Sequence, residues 1–431
     1  MATRYWRNTG TWDASSTSNW SDSSGGATGF SAPTSADDVI FDDASAAANF
    51  TCTIGTGAVC RNITVNTLVG KTLTFAGTAG LEVHGGLTFP ASNVARTYTG
   101  TTTFKATTTG HTVNFNGLAW APLTFDGLGG EWTLGSAITS ASVISNGYQL
   151  ILARGTFRTG NYNITSYRLI GSASLGATGA RAFYAGSSTI TSANNTSSAT
   201  GYSLGSCTDP ENFTMDPGTS TFIFQRIFNG EFLNSRFYNL EIRTNGGLNS
   251  LRLGISGVNT FSDSNPTFSN ATGIVVLNNF TIVKGTTANN SIICILNSST
   301  IPNPALTVQG TFSSSGFGTS GDFKLYGGRT NGGFASRDKP VVVLNSVGSL
   351  DGMSVYGCAI TGSAAPITLG ARAADMGMTS GIVTRSPRTS YLVNWTAGTD
   401  GWWSSTRWAS SSGGTPSASD VPDRYYDSIN R

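Results

Sequence analysis

Leu123-Thr-Phe-Asp-Gly-Leu-Gly-Gly-Glu-Trp-Thr-Leu134 contains two short alternating runs, Leu123-Thr-Phe125 and Trp132-Thr-Leu134, divided by a glycine cluster. Alternation of apolar and polar residues with period 2 marks a strand that buries one face. Similar units flank it at Ile63 to Val65, Leu73 to Phe75, Leu81 to Val83, Val113 to Phe115, Val143 to Ile144 and Leu150 to Leu152. They recur every 8 to 11 residues or so with turn residues between, which is an all-β signature. The pattern continues through Leu240 to Ile242, Ile274 to Leu277, Phe280 to Val283, Ile292 to Leu296, Leu306 to Val308 and Val341 to Leu344. Phrases also return, among them Gly186-Ser-Ser-Thr-Ile190 with Gly218-Thr-Ser-Thr-Phe222, and Gly155-Thr-Phe157 with Gly310-Thr-Phe312. Two or three strands grouped together give a period of about 20 to 30 residues, the range of stacked repeats whose single units cannot bury their apolar faces alone. The expected fold is therefore all-β, an elongated parallel β-helix, or β-solenoid, with Trp-rich terminal modules.

Composition agrees with one repetitive body. Charged residues are 11% of the chain, hydrophobic residues 38% and aromatics 10%, with 54 glycines. Ordinary globular proteins carry about 25% charged residues, so hydrogen bonds rather than charges must solvate this surface. The formal net charge is +2 with no run of Lys or Arg, which argues against nucleic acid as a partner. No stretch has the length and apolarity of a membrane span, so membrane insertion is not expected. The opening Met1-Ala-Thr-Arg-Tyr-Trp-Arg-Asn8 lacks the apolar segment of a signal peptide, and assembly in a cytoplasm is the expectation. Cys52, Cys60, Cys207, Cys294 and Cys358 have no metal-binding spacing and read as small buried residues, with Cys52 and Cys60 the one local pair able to bridge.

Three segments follow: an N-terminal Trp/Gly-rich cap or anchor over 1–48, a repetitive body over 49–390 with a loop insertion near 200–236, and a C-terminal Trp-rich module over 391–431. Pro210, in Cys207-Thr-Asp-Pro-Glu-Asn212, favours a protruding loop because proline cannot donate to a central ladder. Ser313 to Gly321 and Gly327 to Gly333 read as surface loops. The two ends resemble each other. Asn19-Trp20 precedes Ser23-Ser-Gly-Gly26 by the same interval as Arg407-Trp408 precedes Ser411-Ser-Gly-Gly414, and a proline and acidic residues follow in both. Terminal repeats of a solenoid are normally atypical because they cover open ends, so capping and docking onto a partner are the two readings of these modules.

The opening Arg4-Tyr-Trp6, Gly10-Thr-Trp-Asp13, Asn19-Trp-Ser21, Ser24-Gly-Gly26 and Pro33-Thr-Ser-Ala-Asp-Asp-Val-Ile-Phe-Asp42 resembles the start of a family of β-helical virion structural proteins of tailed bacteriophages. Leu123 to Leu134, Gly160-Asn-Tyr-Asn-Ile164 and Gly257-Val-Asn-Thr-Phe261 resemble its repeating body. The resemblance implies a tail fibre, tailspike or head decoration, a homotrimer assembled with other virion proteins, and no catalytic motif. It leads us to expect an exposed appendage of the virion that adheres to a host surface glycan. The alternatives are a capsid head-decoration protein, a polysaccharide depolymerase and a bacterial surface adhesin. Tyr5, Trp6, Trp12 and Trp20 are the expected anchoring residues, and Trp402, Trp403, Trp408, Tyr425 and Tyr426 the expected receptor contacts. Aromatic faces and neutral hydrogen-bonding groups match the two kinds of surface a sugar presents.

Enzymatic alternatives need paired carboxylates. Glu occurs only at Glu82, Glu131, Glu211, Glu231 and Glu241, and Asp126 with Glu131, flanking Gly127-Leu-Gly-Gly130, is the best local pair. Its simpler reading is a polar turn. Asp209, Glu211 and Asp216 form a second group, and Arg226, Arg236, Arg243 and Arg252 would serve a lyase only if coils aligned them. His84 and His111 have no partners at ligand spacing. Asp37, Asp38, Asp42 and Asp43 crowd hard oxygen ligands that would suit Ca²⁺, but without EF-hand spacing; turn formation and strand flanking explain them as well. No cofactor is expected. Sequons at Asn62, Asn163, Asn279 and Asn297 are expected by chance in so Asn- and Thr-rich a chain.

Overall fold

The computed structural model describes residues 1–120, 122–139, 149–166, 168–170, 179–192, 213–225, 228–231, 236–244, 249–253, 274–284, 292–296, 306–315, 323–327, 341–370, 374–375, 379–383, 389–392, 408–409, 411–412, 414–415 and 428–430. Their regular structure is strand throughout, apart from one 3₁₀ turn at Asp43–Ser45. The chain divides into two units, Met1–Thr196 with Ser203–Phe222, and Ser197–Tyr202 with Ile223–Arg431.

In the first unit, strands stack in parallel from coil to coil. One ladder runs from Thr3–Trp6 through Asp38–Phe41, Ile63–Val65, Leu87–Thr88 and His111–Asn114 into Leu123–Leu134. Beside it run the ladders Ala58–Cys60, Leu81–Val83, Thr102–Phe104 and Gly10–Trp12, Phe50–Ile54, Leu73–Ala76, Val94–Arg96. Register keeps like over like: Val39 pairs with Ile63, Ile63 with Leu87, Leu87 with Val113, and Val113 with Leu134, all buried. Each such side chain contributes about 1.5–3 kcal/mol by leaving water, and the period of 2 turns its neighbours outward. Ring columns extend the stack, with Phe104 to Phe125 at 4.9 Å, Phe125 to Phe157 at 4.6 Å and Phe157 to Phe183 at 5.7 Å between centroids.

The second unit repeats the scheme with longer coils. Leu240 pairs with Phe280 and Phe280 with Phe312, while Ile274, Leu306 and Val342 form a second buried column. A third ladder joins Phe228–Glu231, Asn249–Leu253, Ile292–Leu296, Phe323–Gly327 and Met353–Tyr356. Long parallel sheets of this kind define a β-helix-like all-β fold. Among the described strand pairs only two are antiparallel, Thr3–Trp6 with Trp20–Ser21 and Thr389–Leu392 with Trp408–Ala409.

Asparagine ties coil to coil at the corners. The side-chain oxygen of Asn62 accepts from the Gly86 amide at 2.7 Å, that of Asn163 from Thr189 at 2.8 Å, and that of Asn279 from Thr311 at 3.2 Å. Asn62, Asn163 and Asn279, named above as sequons, are thus coil bridges placed just before an inward strand, and Asn297 lies outside the described residues. Such bonds satisfy backbone donors that the corner removes from the ladder.

Several expectations change. Gly127-Leu-Gly-Gly130 does not end a strand: Leu123–Leu134 runs on as one bent strand beside Gln149–Arg158, with register shifts at Asp126. Glycine is required there for space as much as for turning, since a Cβ at Gly127 or Gly130 would fall on the Ala106 carbonyl oxygen, and Gly129 has φ +79°. Ser313 to Ser315, read as loop, lie in strand Leu306–Ser315, and Gly327 ends a strand. Val143 to Ile144 and the loop at 207–212 lie outside the described residues. Cys52 and Cys60, by contrast, are the small buried residues expected, free thiols with no bridge between them, and burial pushes both well above the ordinary thiol pKa.

Candidate functional site

The N-terminal module is built on three indoles. Trp6, Trp12 and Trp20 are each 0% exposed, with Trp20 edge-on to Trp6 at 4.9 Å and to Trp12 at 5.2 Å. Trp6 reaches Phe41 at 5.8 Å, and Phe41 reaches Phe75 at 5.2 Å, so the cluster runs into the core of the coils. Trp6 Nε1 donates to the Asn8 carbonyl at 2.6 Å, and Asn19 Nδ2 donates to the Arg7 carbonyl at 2.6 Å. Trp6, Trp12 and Trp20 expose no ring surface and form the buried interior of this module. Of the expected anchoring residues Tyr5 alone is half-buried. The receptor-contact candidates Trp402, Trp403, Tyr425 and Tyr426 lie outside the described residues, and of Trp408 only the backbone, in strand Trp408–Ala409, is described.

The acidic residues of the same module are dispersed among separate partners. Asp37 accepts from the Ala2 amide at 2.6 Å and from Thr34 Oγ1 at 2.7 Å. Asp38 takes the Arg61 guanidinium, with Nε at 2.8 Å, and Asn62 Nδ2 at 2.8 Å. Burial works to raise both carboxyl pKa values, but these hydrogen bonds and the Arg4 and Arg61 charges outweigh it and hold them below the ordinary value. Asp42 flanks the 3₁₀ turn, where its amide donates to Ser45 Oγ at 3.0 Å, and Asp43 accepts from the Val69 amide at 2.8 Å and pairs with Lys71 at 3.1 Å. Among the described residues no three His, Cys, Asp or Glu side chains gather to hold a metal ion.

Asp126 and Glu131 sit on neighbouring corners of one bent strand, and each meets an arginine of the next coil. Arg154 Nε lies 2.5 Å from Asp126, and Arg158 Nε lies 3.1 Å from Glu131. Arg158 also lies 3.9 Å above the Tyr184 ring. Lys105 with Glu82 at 2.7 Å follows the same rule. Partly exposed pairs of this kind are worth about 0–1 kcal/mol each and act chiefly to neutralise the face and fix register. His84 lies 3.7 Å from Glu82; His111 Nε2 lies 2.9 Å from Thr108 Oγ1, and burial lowers its pKa. Asp216 accepts from the Gly218 amide at 3.0 Å; Asp209 and Glu211 lie outside the described residues. Arg243 pairs with Glu241 on its own strand.

What the outer faces do share is threonine in register. Thr64 stacks on Thr88, Thr103 on Thr124, Thr112 on Thr133, and Thr165 on both Thr139 and Thr191. These are pairs and one triplet, with members about 4.8 Å apart: Ile40 and Asn114 flank Thr64 and Thr88, and Glu82 and Ile151 flank Thr103 and Thr124. Sequence reading missed Trp120 altogether; it packs on Phe75, Phe89, Tyr98 and Phe115 and donates from Nε1 to Thr102 Oγ1 at 2.9 Å. No period-2 signal marks it, because it lies between strands.

Fold and faces together define a β-solenoid-like protein with a buried aromatic cluster near its N-terminus and threonines paired in register on outward positions. Comparison with protein-family models, with curated proteins and with solved structures finds no match.

Proposed function

We propose that this chain is a structural component of a bacteriophage particle, an exposed tail-fibre or tailspike-like appendage that adheres to a host-surface glycan. The observation that carries the reading is the outer face: Thr pairs matched in register, with Asp126, Glu131 and Glu82 paired to Arg or Lys of adjacent coils. Threonine hydroxyls held in register, beside acidic groups already paired, suit neutral sugars, which offer many hydroxyls and no charge to pair. Stacked parallel coils with a buried aromatic column also suit a part that must stay stiff under load. In this reading the chain assembles as a homotrimer, other virion proteins hold it through the outside of the N-terminal module, and Trp402, Trp403, Trp408, Tyr425 and Tyr426 contribute to glycan contact. Glycan cleavage fits less well, since Asp126 and Glu131 are each engaged by an arginine.

Immunogold labelling of purified particles with antibody to the chain tests the reading. Gold at the tail is the expected result; gold over the capsid replaces it with a head decoration, and unlabelled particles with gold on the bacterial surface replace it with an adhesin.

A further inference from the structure

Five tryptophan side chains are described, and all five are buried. Three of them give the indole N–H to a protein acceptor: Trp6 to the Asn8 carbonyl at 2.6 Å, Trp120 to Thr102 Oγ1 at 2.9 Å and Trp132 to the Gly85 carbonyl at 3.0 Å. Trp12 and Trp20 do not. Their Nε1 atoms are buried and meet no hydrogen-bond partner among the described residues. The two rings touch edge-on, 5.2 Å between centroids, so both orphaned donors belong to one pair of packed indoles.

The surroundings repeat the shortage. Ser16 Oγ, in the loop that links the two tryptophans, is buried without a partner, and so is Arg7 Nε; of the seven such atoms among the described residues, these four fall within residues 7–20. Nearby backbone acceptors are already engaged: the Trp12 carbonyl by the Gly55 amide at 2.7 Å, the Asn19 carbonyl by Arg7 at 2.8 Å, and the Thr17 carbonyl by Gly29 at 3.1 Å. A buried N–H that forgoes its bond to bulk water without a replacement is costly, and such groups are satisfied by protein or by ordered water in the great majority of folded chains.

We propose that the N-terminal module is an internal hydration site, holding ordered water that accepts the indole N–H of Trp12 and of Trp20. Water fits the chemistry of these atoms. It accepts from the two donors and still has protons to give, and Ser16 Oγ, which can accept as well as donate, offers one place for them. The contact of Trp12 with Trp20 is then wet, while Trp6, Trp120 and Trp132 are bound by the protein alone. This is independent of the glycan reading, which concerns the outer faces.

The test is nuclear magnetic resonance on the full chain, deuterated and carrying nitrogen-15 in its indoles, with magnetisation transferred from water to each Hε1 and single Trp→Phe variants assigning the signals. The expected result is a cross-peak from water at Trp12 and at Trp20, with the Overhauser sign of water that tumbles with the protein, and none at Trp6, Trp120 or Trp132. The Ser16 hydroxyl exchanges with solvent and would relay such a signal if it touched the indoles directly, so the two cross-peaks should persist in Ser16→Ala. Absence of the cross-peak at Trp12 or at Trp20, equal cross-peaks at all five indoles, or loss in Ser16→Ala overturns the proposal. Should a tryptophan variant unfold the module, a crystal structure of the unaltered chain decides: water density within hydrogen-bond reach of both Nε1 atoms supports the proposal, and a protein acceptor or no density at either overturns it.

Discussion

Removing one ring from the stacked column tests the solenoid at its most repetitive point. Phe125 is fully buried and touches three other rings, Phe104 at 4.9 Å, Phe157 at 4.6 Å and Trp132 at 5.3 Å. Phe125→Ala loses the transfer free energy of the ring and leaves a cavity, about 3–5 kcal/mol for such sites. The ring pairs are worth about 0.5–1.5 kcal/mol each beyond area, so the cost should sit at the top of the range, about 5 kcal/mol. Phe125→Leu keeps most of the volume and should cost about 2 kcal/mol. Stacked repeats interact with nearest neighbours, so the loss is local. Hydrogen exchange should show lost protection in Thr102–Phe104 and Gln149–Arg158, with Thr3–Trp6 unchanged. A loss under about 1.5 kcal/mol, or one spread evenly over the first unit, would refute the column as drawn.

Two further outcomes follow from side-chain chemistry. Asp37, Asp38 and Asp43 have carboxyl pKa values held below the ordinary 3.8 in the folded chain, Asp43 chiefly by the Val69 amide and Lys71. Depressed carboxylates stabilise above their unfolded pKa and lose that contribution as pH falls through the folded value, so the N-terminal module should loosen below about pH 4. Tryptophan fluorescence followed from about pH 6 to pH 2 should report the change as Trp6, Trp12 and Trp20 meet water, with a smaller slope in Asp38→Asn; a flat profile counts against these bonds. Gly127→Ala should cost about 2 kcal/mol or more, because the added Cβ meets the Ala106 carbonyl oxygen rather than a movable side chain. An unchanged melting temperature would show that the corner has room to relax.

Strand positions were readable where apolar residues alternate on a coil's straight edge. Ile63–Val65, Leu81–Val83 and Ile292–Leu296 fall where the pattern predicts, residue for residue. Corners were misread because glycine serves two physical ends, left-handed turning and close approach of two backbones, and composition does not separate them. The cluster at Gly127 to Gly130 therefore reads as a turn, although the strand bends through it. The Trp residues posed the same problem: an indole is equally at home in a cap's interior and at an interface, and only packing put Trp6, Trp12 and Trp20 inside. Asn62, Asn163 and Asn279 carried a signal that went unused, an asparagine directly before an inward strand, since its meaning depends on an amide in the next coil.

By itself, then, the sequence determined the all-β class, the stacked repeat and the kinship of the two ends, because period-2 burial and recurring phrases are local properties of the chain. Tertiary structure decided which coil lies on which, and with it the pairing of Asp126 with Arg154 and of Glu131 with Arg158, the alignment of the threonine pairs and the burial of Trp6, Trp12 and Trp20. Those depend on register between residues far apart along the chain, and a one-residue slip would turn every side chain to the other face.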